Sequence, residues 1–349
     1  MVIIFAILLF CLLIVVHEFG HFIAAKLCGV QVNEFSIFMG PALVQWGKGE
    51  TKYSIRCIPL GGYCAMEGED EETDNPRAFT RAKWWKRLII LVAGSAMNFV
   101  IGLLLVFIVL FPAQRFVTPD VVELDVGSSL SEGNAILPGD RILSIAGERV
   151  YVQSDFSLIL TVKGSGNHDV TVLRNGEKVV LEDVLFEART FGEEKSPRYG
   201  ITFDTTEATF GERLKYTWYS AVDYVRMVRM SLTMLLTGQA GIQDMAGPVG
   251  IVDQMAQTTQ TAANMSEAMF RLLDFGALIA INLAVMNLLS IPALDGGRVV
   301  LLLITTAVQA VTKKKLDPKY EGYIHAAGMV LLLGFMAVVT LKDIFGLFN

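Results

Sequence analysis

Apolar residues run unbroken through positions 2–16, and beyond His17 and Glu18 the apolar character resumes to Leu27. Read as a helix, residues 2–25 reach about 36 Å, enough to cross a hydrocarbon core of about 30 Å. A cleavable signal peptide fits less well. No charged residue precedes the run, and no clear small-residue cleavage site follows it. A second apolar stretch, 88–111, stops at Pro112. A third, 276–291, stops at Pro292, and a fourth covers 324–341. The apolar stretch 299–311 is short for a span and reads as an interfacial or re-entrant helix.

Between the second and third stretches the pattern changes. Residues 116–205 alternate polar and β-branched positions, with turn signals at Pro138-Gly139-Asp140, Gly164-Ser165-Gly166 and Asn175-Gly176. They predict a small α+β domain with its own core. Residues 207–237 place Phe210, Tyr216, Trp218, Tyr219 and Tyr224 at helical spacing. They predict an amphipathic helix on the membrane surface, or a helix packed on the preceding domain.

Composition agrees: 53% hydrophobic against 18% charged, where a soluble domain carries about a quarter charged residues. This excludes a disordered chain or a basic nucleic-acid binder and argues against a soluble enzyme. The net charge of −6 points to no partner. Cys11, Cys28, Cys57 and Cys64 follow no zinc-finger or Cys-x-x-Cys spacing and read as buried or reduced thiols. Orientation follows from basic residues. Arg81, Lys83, Lys86 and Arg87 precede the second span, and Lys313, Lys314, Lys315 and Lys319 the fourth, so both clusters belong in the cytoplasm. The N-terminus, residues 113–275 and the C-terminus then lie outside it.

Candidate chemistry sits inside the first span. His17 and His21 lie four residues apart, on one helix face, and can reach one metal ion. Glu18 between them can serve as general base on an attacking water. Ionisable groups within a span are expensive and functional by default. A catalytic zinc normally takes a third protein ligand. His168 lies in the external domain, on the wrong side. His325 opens the fourth span and reads as an interfacial anchor. Asp295 follows the third span and falls at the depth of the histidines, although Asp295-Gly296-Gly297 alone is also a turn signal.

With these residues the sequence resembles the site-2 protease family of intramembrane zinc proteases, in particular its bacterial branch acting on anti-sigma factors and signal-peptide remnants. The resemblance covers nearly the whole chain. It rests on His17-Glu18-Phe19-Gly20-His21, on the run from Asn287 to Gly297, on Ile58-Pro59-Leu60-Gly61-Gly62-Tyr63 and on Gly247-Pro248-Val249-Gly250-Ile251. It implies one Zn2+ held by His17, His21 and Asp295, Glu18 as general base, and Asn287 and Pro292 shaping the substrate pocket. Asn98 matches a family asparagine and is expected to contact substrate; an interhelical hydrogen bond is the alternative. Residues 35–65, with Gly61 and Gly62 at a turn, resemble a membrane-associated β-hairpin whose edge can pair with an unwound substrate. Residues 116–205 resemble a single PDZ domain. It would capture a peptide end on the strand edge at 121–126, or only screen bulky ectodomains.

The fold class expected is therefore an α-helical polytopic membrane protein with about four spans, a β-hairpin loop and an inserted α+β, PDZ-like domain. Its segments are 1–112, 116–205, 206–275 and 276–349. The function expected is regulated intramembrane proteolysis of single-span substrates in the bacterial plasma membrane, from a site opening toward the cytoplasm, with no nucleic-acid partner. A metal or proton transporter and an inactive peptide-binding scaffold are the rival readings. The first lacks the internal repeat usual in transporters, and an intact Glu18 argues against the second.

Overall fold

A computed structural model describes residues 2–69, 73–132, 135–191, 197–313 and 318–346. Lys314 and Lys315, two of the cluster before the fourth expected span, lie outside the described residues, as does the side chain of Lys319. The chain divides into two compact units, residues 1–105 with 234–349, and residues 106–233.

The first unit holds the apolar helices. Helix α1, Val2–Cys28, leads into the strands β1, Val32–Trp46, and β2, Lys52–Met66. Helix α2, Trp84–Leu110, follows and runs into the second unit. Later come α5, Pro248–Gln260, α6, Met265–Asn287, α7, Asp295–Thr312, and α8, Pro318–Gly346. Ala6, Leu9 and Leu13 of α1 pack on Met255 of α5 and on Leu272, Ile279 and Ala280 of α6. A Cβ on Gly20 would stand 2.5 Å from the carbonyl oxygen of Ala93, so α1 and α2 touch backbone to backbone there. Such close approach is what small residues permit between membrane helices. Exposed Ile4, Leu8, Leu104, Val330 and Leu331 give these helices faces suited to lipid.

Among the described residues, five helices are long and apolar enough to cross a membrane: α1, α2, α6, α7 and part of α8. Four match the expected spans. The stretch 299–311 falls within the fifth, α7, which begins four residues earlier than the apolar pattern and is the least hydropathic of the five. Helix α6 likewise starts before its apolar stretch. Asn264 accepts the Glu267 amide, and Glu267 accepts that of Ala263, a reciprocal cap that extends the helix into polar sequence.

The expected β-hairpin loop is present and more folded than a single hairpin. Positions 34–37 of β1 pair with 52–55 on one side and 62–65 on the other, because β2 doubles back around Pro59 and Gly61. Positions 62–65 thus form an outer strand. The four cysteines are free.

The second unit is the α+β domain. Strands β3, Arg115–Leu124, β4, Arg141–Ile145, β5, Glu148–Arg149, β6, Gly166–Arg174, β7, Glu177–Phe186, and β8, Ile201–Glu207, form one sheet in the order β7-β6-β4-β3-β8, with β5 on β4. Helix α3, Gln153–Lys163, covers it through Phe156, Ile159 and Leu160, which meet Ile142, Val170 and Phe186. The expected open edge at 121–126 is corrected here. Val121, Glu123 and Leu124 pair with β8, and Val121 also bonds Gly139 and Asp140 on its other side. This strand is internal, and the outer strands are β7 and β8.

Helix α4, Phe210–Leu236, is committed to this domain along one face. Tyr216 stacks on Phe116 at 4.3 Å, Met230 enters the core, and Arg226 Nη1 donates to buried Asp155 at 2.8 Å. The packed alternative for 207–237 therefore holds for this face, while Phe210, Leu214, Trp218 and Leu236 stay exposed.

Candidate metal centre

Helical spacing stacks the His17 and His21 side chains one turn apart, with their rings edge to face and centroids 4.8 Å apart. Asp295 meets them from the first turn of α7. Its Oδ2 lies 3.1 Å from His17 Nε2 and 3.3 Å from His21 Nε2, and the two Nε2 atoms are 3.2 Å apart. Three donor atoms thus form a nearly equilateral triangle. A tetrahedral zinc with bonds of about 2.0 Å has edges of about 3.3 Å. Asp295 Oδ2 is also buried without a hydrogen-bond partner. An orphaned carboxylate oxygen facing two imidazole nitrogens is costly unless a cation sits among them. On both counts the donor set fits a zinc ion, and it is the one His/Cys/Asp/Glu cluster of this kind among the described residues.

The sequence around Asp295 explains its position. A Cβ on Gly296 would stand 2.3 Å from the Leu288 and Leu289 carbonyl oxygens, and one on Gly297 would stand 2.4 Å from that of Ile291. Only glycines let the α6–α7 connection fold this tightly over the start of α7. Pro292 packs on α8, where a Cβ at its contact Gly328 would come within 2.5 Å of the proline ring. Asn287 is the last residue of α6 and is partly buried.

Around the imidazoles, His21 Nδ1 faces the Ile90 carbonyl oxygen at 2.8 Å. That bond fixes the tautomer with Nε2 free for a metal. The amide of Asn98, buried in α2, stands 3.4 Å from His17 Nδ1. Gly94 provides the floor: a Cβ there would stand 2.4 Å from His21 Nε2 and 2.8 Å from His17 Cε1. Glu18 borders the β-sheet, its Cγ lying 3.6 Å from where a Gly62 Cβ would stand. Gly61, at φ +78°, makes the preceding bend.

The structure thus brings His17, Glu18, His21, Asn98, Gly62 and Asp295 into one neighbourhood. His168 is placed elsewhere, with Nε2 on the Gly164 carbonyl oxygen at 2.9 Å in the second unit. Sequence reasoning passed over Gly20, Gly94 and Gly328. It also left His325 as an anchor, whereas its Nδ1 accepts the Ala293 amide at 3.2 Å in the loop before Asp295. The signal for Gly94 was the small pair Gly94-Ser95 inside an apolar span.

The chain as a whole is similar to known proteins. Residues 5–335 match peptidase family M50. A candidate zinc metalloprotease of Clostridium acetobutylicum is 36% identical over 98% of this chain and 97% of its own length. The zinc metalloprotease RasP of Oceanobacillus iheyensis is 28% identical over 98% of both chains.

Proposed function

Because this chain belongs to peptidase family M50, the site-2 protease family, and is a multi-pass zinc metalloprotease, we propose that it hydrolyses peptide bonds within or beside the transmembrane segments of single-span membrane proteins. His17, His21 and Asp295 hold the zinc and Glu18 is the general base. The observation that carries this reading is the donor triangle of 3.1–3.3 Å next to Glu18.

Bound zinc supplies a Lewis acid that polarises the scissile carbonyl and lowers the pKa of a water. Glu18 takes one proton from the attacking water and returns it to the amide nitrogen as the C–N bond breaks. A transmembrane helix hides its carbonyls in its own hydrogen bonds, so the substrate must be unwound. The outer strand 62–65, with Gly62 beside Glu18, can accept the unwound segment as an added strand and replace the lost bonds. Asn287 and Pro292 then border the substrate on the α6–α7 side.

In this reading α1, α2, α6 and α8 cross the membrane. Helix α7 starts at the depth of the histidines, carries Arg298 paired with Glu69 and runs outward to the cytoplasmic surface. The basic residues at the start of α2 support a site that opens toward the cytoplasm, with the N- and C-termini and the PDZ-like domain outside it. The second unit is read as a PDZ-like domain. Anti-sigma factors and signal-peptide remnants are the substrate classes.

The test is Glu18→Gln in the purified protein with a single-span model substrate. Cleavage should fall by at least about 10³-fold with zinc content unchanged. Cleavage at the normal rate would sink the role of Glu18. A wild-type protein that holds zinc and cuts nothing would favour the transporter or scaffold readings.

A further inference from the structure

We propose that Asn98 is the positioning residue for His17: its carboxamide oxygen accepts the Nδ1 proton and thereby fixes the tautomer that leaves Nε2 free for zinc. The inference rests on the zinc reading above and goes beyond it.

The two histidines are held differently. His21 has a backbone acceptor, the Ile90 carbonyl, against its Nδ1, so its tautomer is set by the fold of α2 alone. His17 Nδ1 faces a side-chain amide instead, with Asn98 Nδ2 at 3.4 Å. An amide nitrogen is a donor. In that sense it would require a bare Nδ1, put the imidazole proton on Nε2 and block ligation at the atom that lies 3.1 Å from Asp295 Oδ2. The other end of the same amide, Oδ1, is buried with no partner. Nothing holds the amide in that sense, and the nitrogen and oxygen ends of an asparagine are nearly the same size. Turned about its Cβ–Cγ axis, the amide presents Oδ1 to the Nδ1–H of His17. Both imidazoles then carry a carbonyl-type acceptor behind them and a free Nε2 in front. Outer acceptors of this kind orient the ring and raise its basicity as a ligand.

Burial supports the assignment. Asn98 is 1% exposed, inside α2 one turn beyond Gly94, on which both rings rest. It lies behind His17, so it acts through that ring in place of the substrate contact expected from sequence. A buried asparagine within an apolar span is expensive without such a task.

The experiment measures the zinc dissociation constant of the detergent-solubilised full chain by competition with a chelator, for wild type, His17→Ala, Asn98→Leu and Asn98→Asp. Leucine keeps the volume and removes the acceptor; aspartate keeps an acceptor. Asn98→Leu should bind zinc about 10–100-fold more weakly, and Asn98→Asp should stay within a few-fold of wild type. Wild-type affinity in Asn98→Leu, or equal weakening in both variants, overturns the proposal. If Asn98→Leu does not fold, the 15N imidazole resonances of His17 in zinc-loaded wild type decide. A protonated Nδ1 supports the assignment and a protonated Nε2 overturns it. Wild type that takes up no zinc, or His17→Ala that binds it normally, refutes the zinc reading itself.

Discussion

His325 Nδ1 accepts the backbone N–H of Ala293 at 3.2 Å, two residues before Asp295. Ala293 stands at φ +85°, a left-handed conformation that a side chain disfavours. The bond from α8 and the packing of Gly328 on Pro292 hold that turn, and the turn aims the Asp295 carboxylate at the histidines. His325→Leu removes the acceptor. One hydrogen bond of about 1 kcal/mol corresponds to roughly fivefold in zinc affinity. His325→Gln, which offers an acceptor, should recover most of it. Equal affinities in the three proteins, by chelator competition, would show that the loop needs no such tether.

Gly94 faces both imidazoles. Its Cβ position is 2.4 Å from His21 Nε2 and 2.8 Å from His17 Cε1, so a methyl group must displace one ring or separate α1 from α2. Gly94→Ala should lower proteolysis by at least about 10²-fold, as small misplacements at reacting centres do. Bound zinc should fall with it, read as metal content after gel filtration. Normal metal content and activity would mean that the helices shift without cost.

The proposed metal ligands and base were legible in sequence because their chemistry is conspicuous: His17, Glu18 and His21 are charged or polar groups inside an apolar run, and Asp295 lies at matching depth. Gly94 and Gly20 were not, because a glycine in an apolar span shows no partner until the facing helix is known. The start of α6 was readable in Asn264 and Glu267, three apart, but a search for apolar stretches does not count a polar cap. The internal place of 121–124 was illegible for another reason. Alternation gives the faces of a strand, not its neighbours, and β8 arrives from almost eighty residues downstream to occupy that edge.

In the second unit, Asp155 is fully buried, with Oδ2 accepting the Tyr151 and Val152 amides and Oδ1 accepting Arg226. Arg226→Met would leave that carboxylate without its cation. Breaking a buried pair from one side costs about 3–5 kcal/mol. Hydrogen exchange of the amides in 141–174, measured in the full chain, should accelerate accordingly. Asp155→Asn combined with Arg226→Met should recover part of the loss, since neither charge then remains buried alone. Unchanged protection in Arg226→Met would show that the pair contributes nothing to this core.

Asp223 adds a pH dependence to the same cluster. Burial, followed by its hydrogen bond to Asp155 and the negative charge there, pushes its carboxyl up to about 7 from an ordinary 3.8, against the opposing pull of Arg226 and a bond from Ser154. Below the ordinary value both folded and unfolded chains hold the proton, and Asp223 contributes no penalty. As pH rises from about 4 to about 7, the unfolded chain releases the proton first and the folded domain loses stability relative to it. Above about 7 both forms are ionised and the loss is complete. Asp223→Asn keeps the hydrogen-bonding shape and cannot ionise. Its stability relative to wild type should therefore rise across that window, by up to a few kcal/mol, and level off above it. Unfolding midpoints of both proteins from pH 4 to 9 read this directly. A difference that stays constant across the series would show that Asp223 is not titrating in the folded domain.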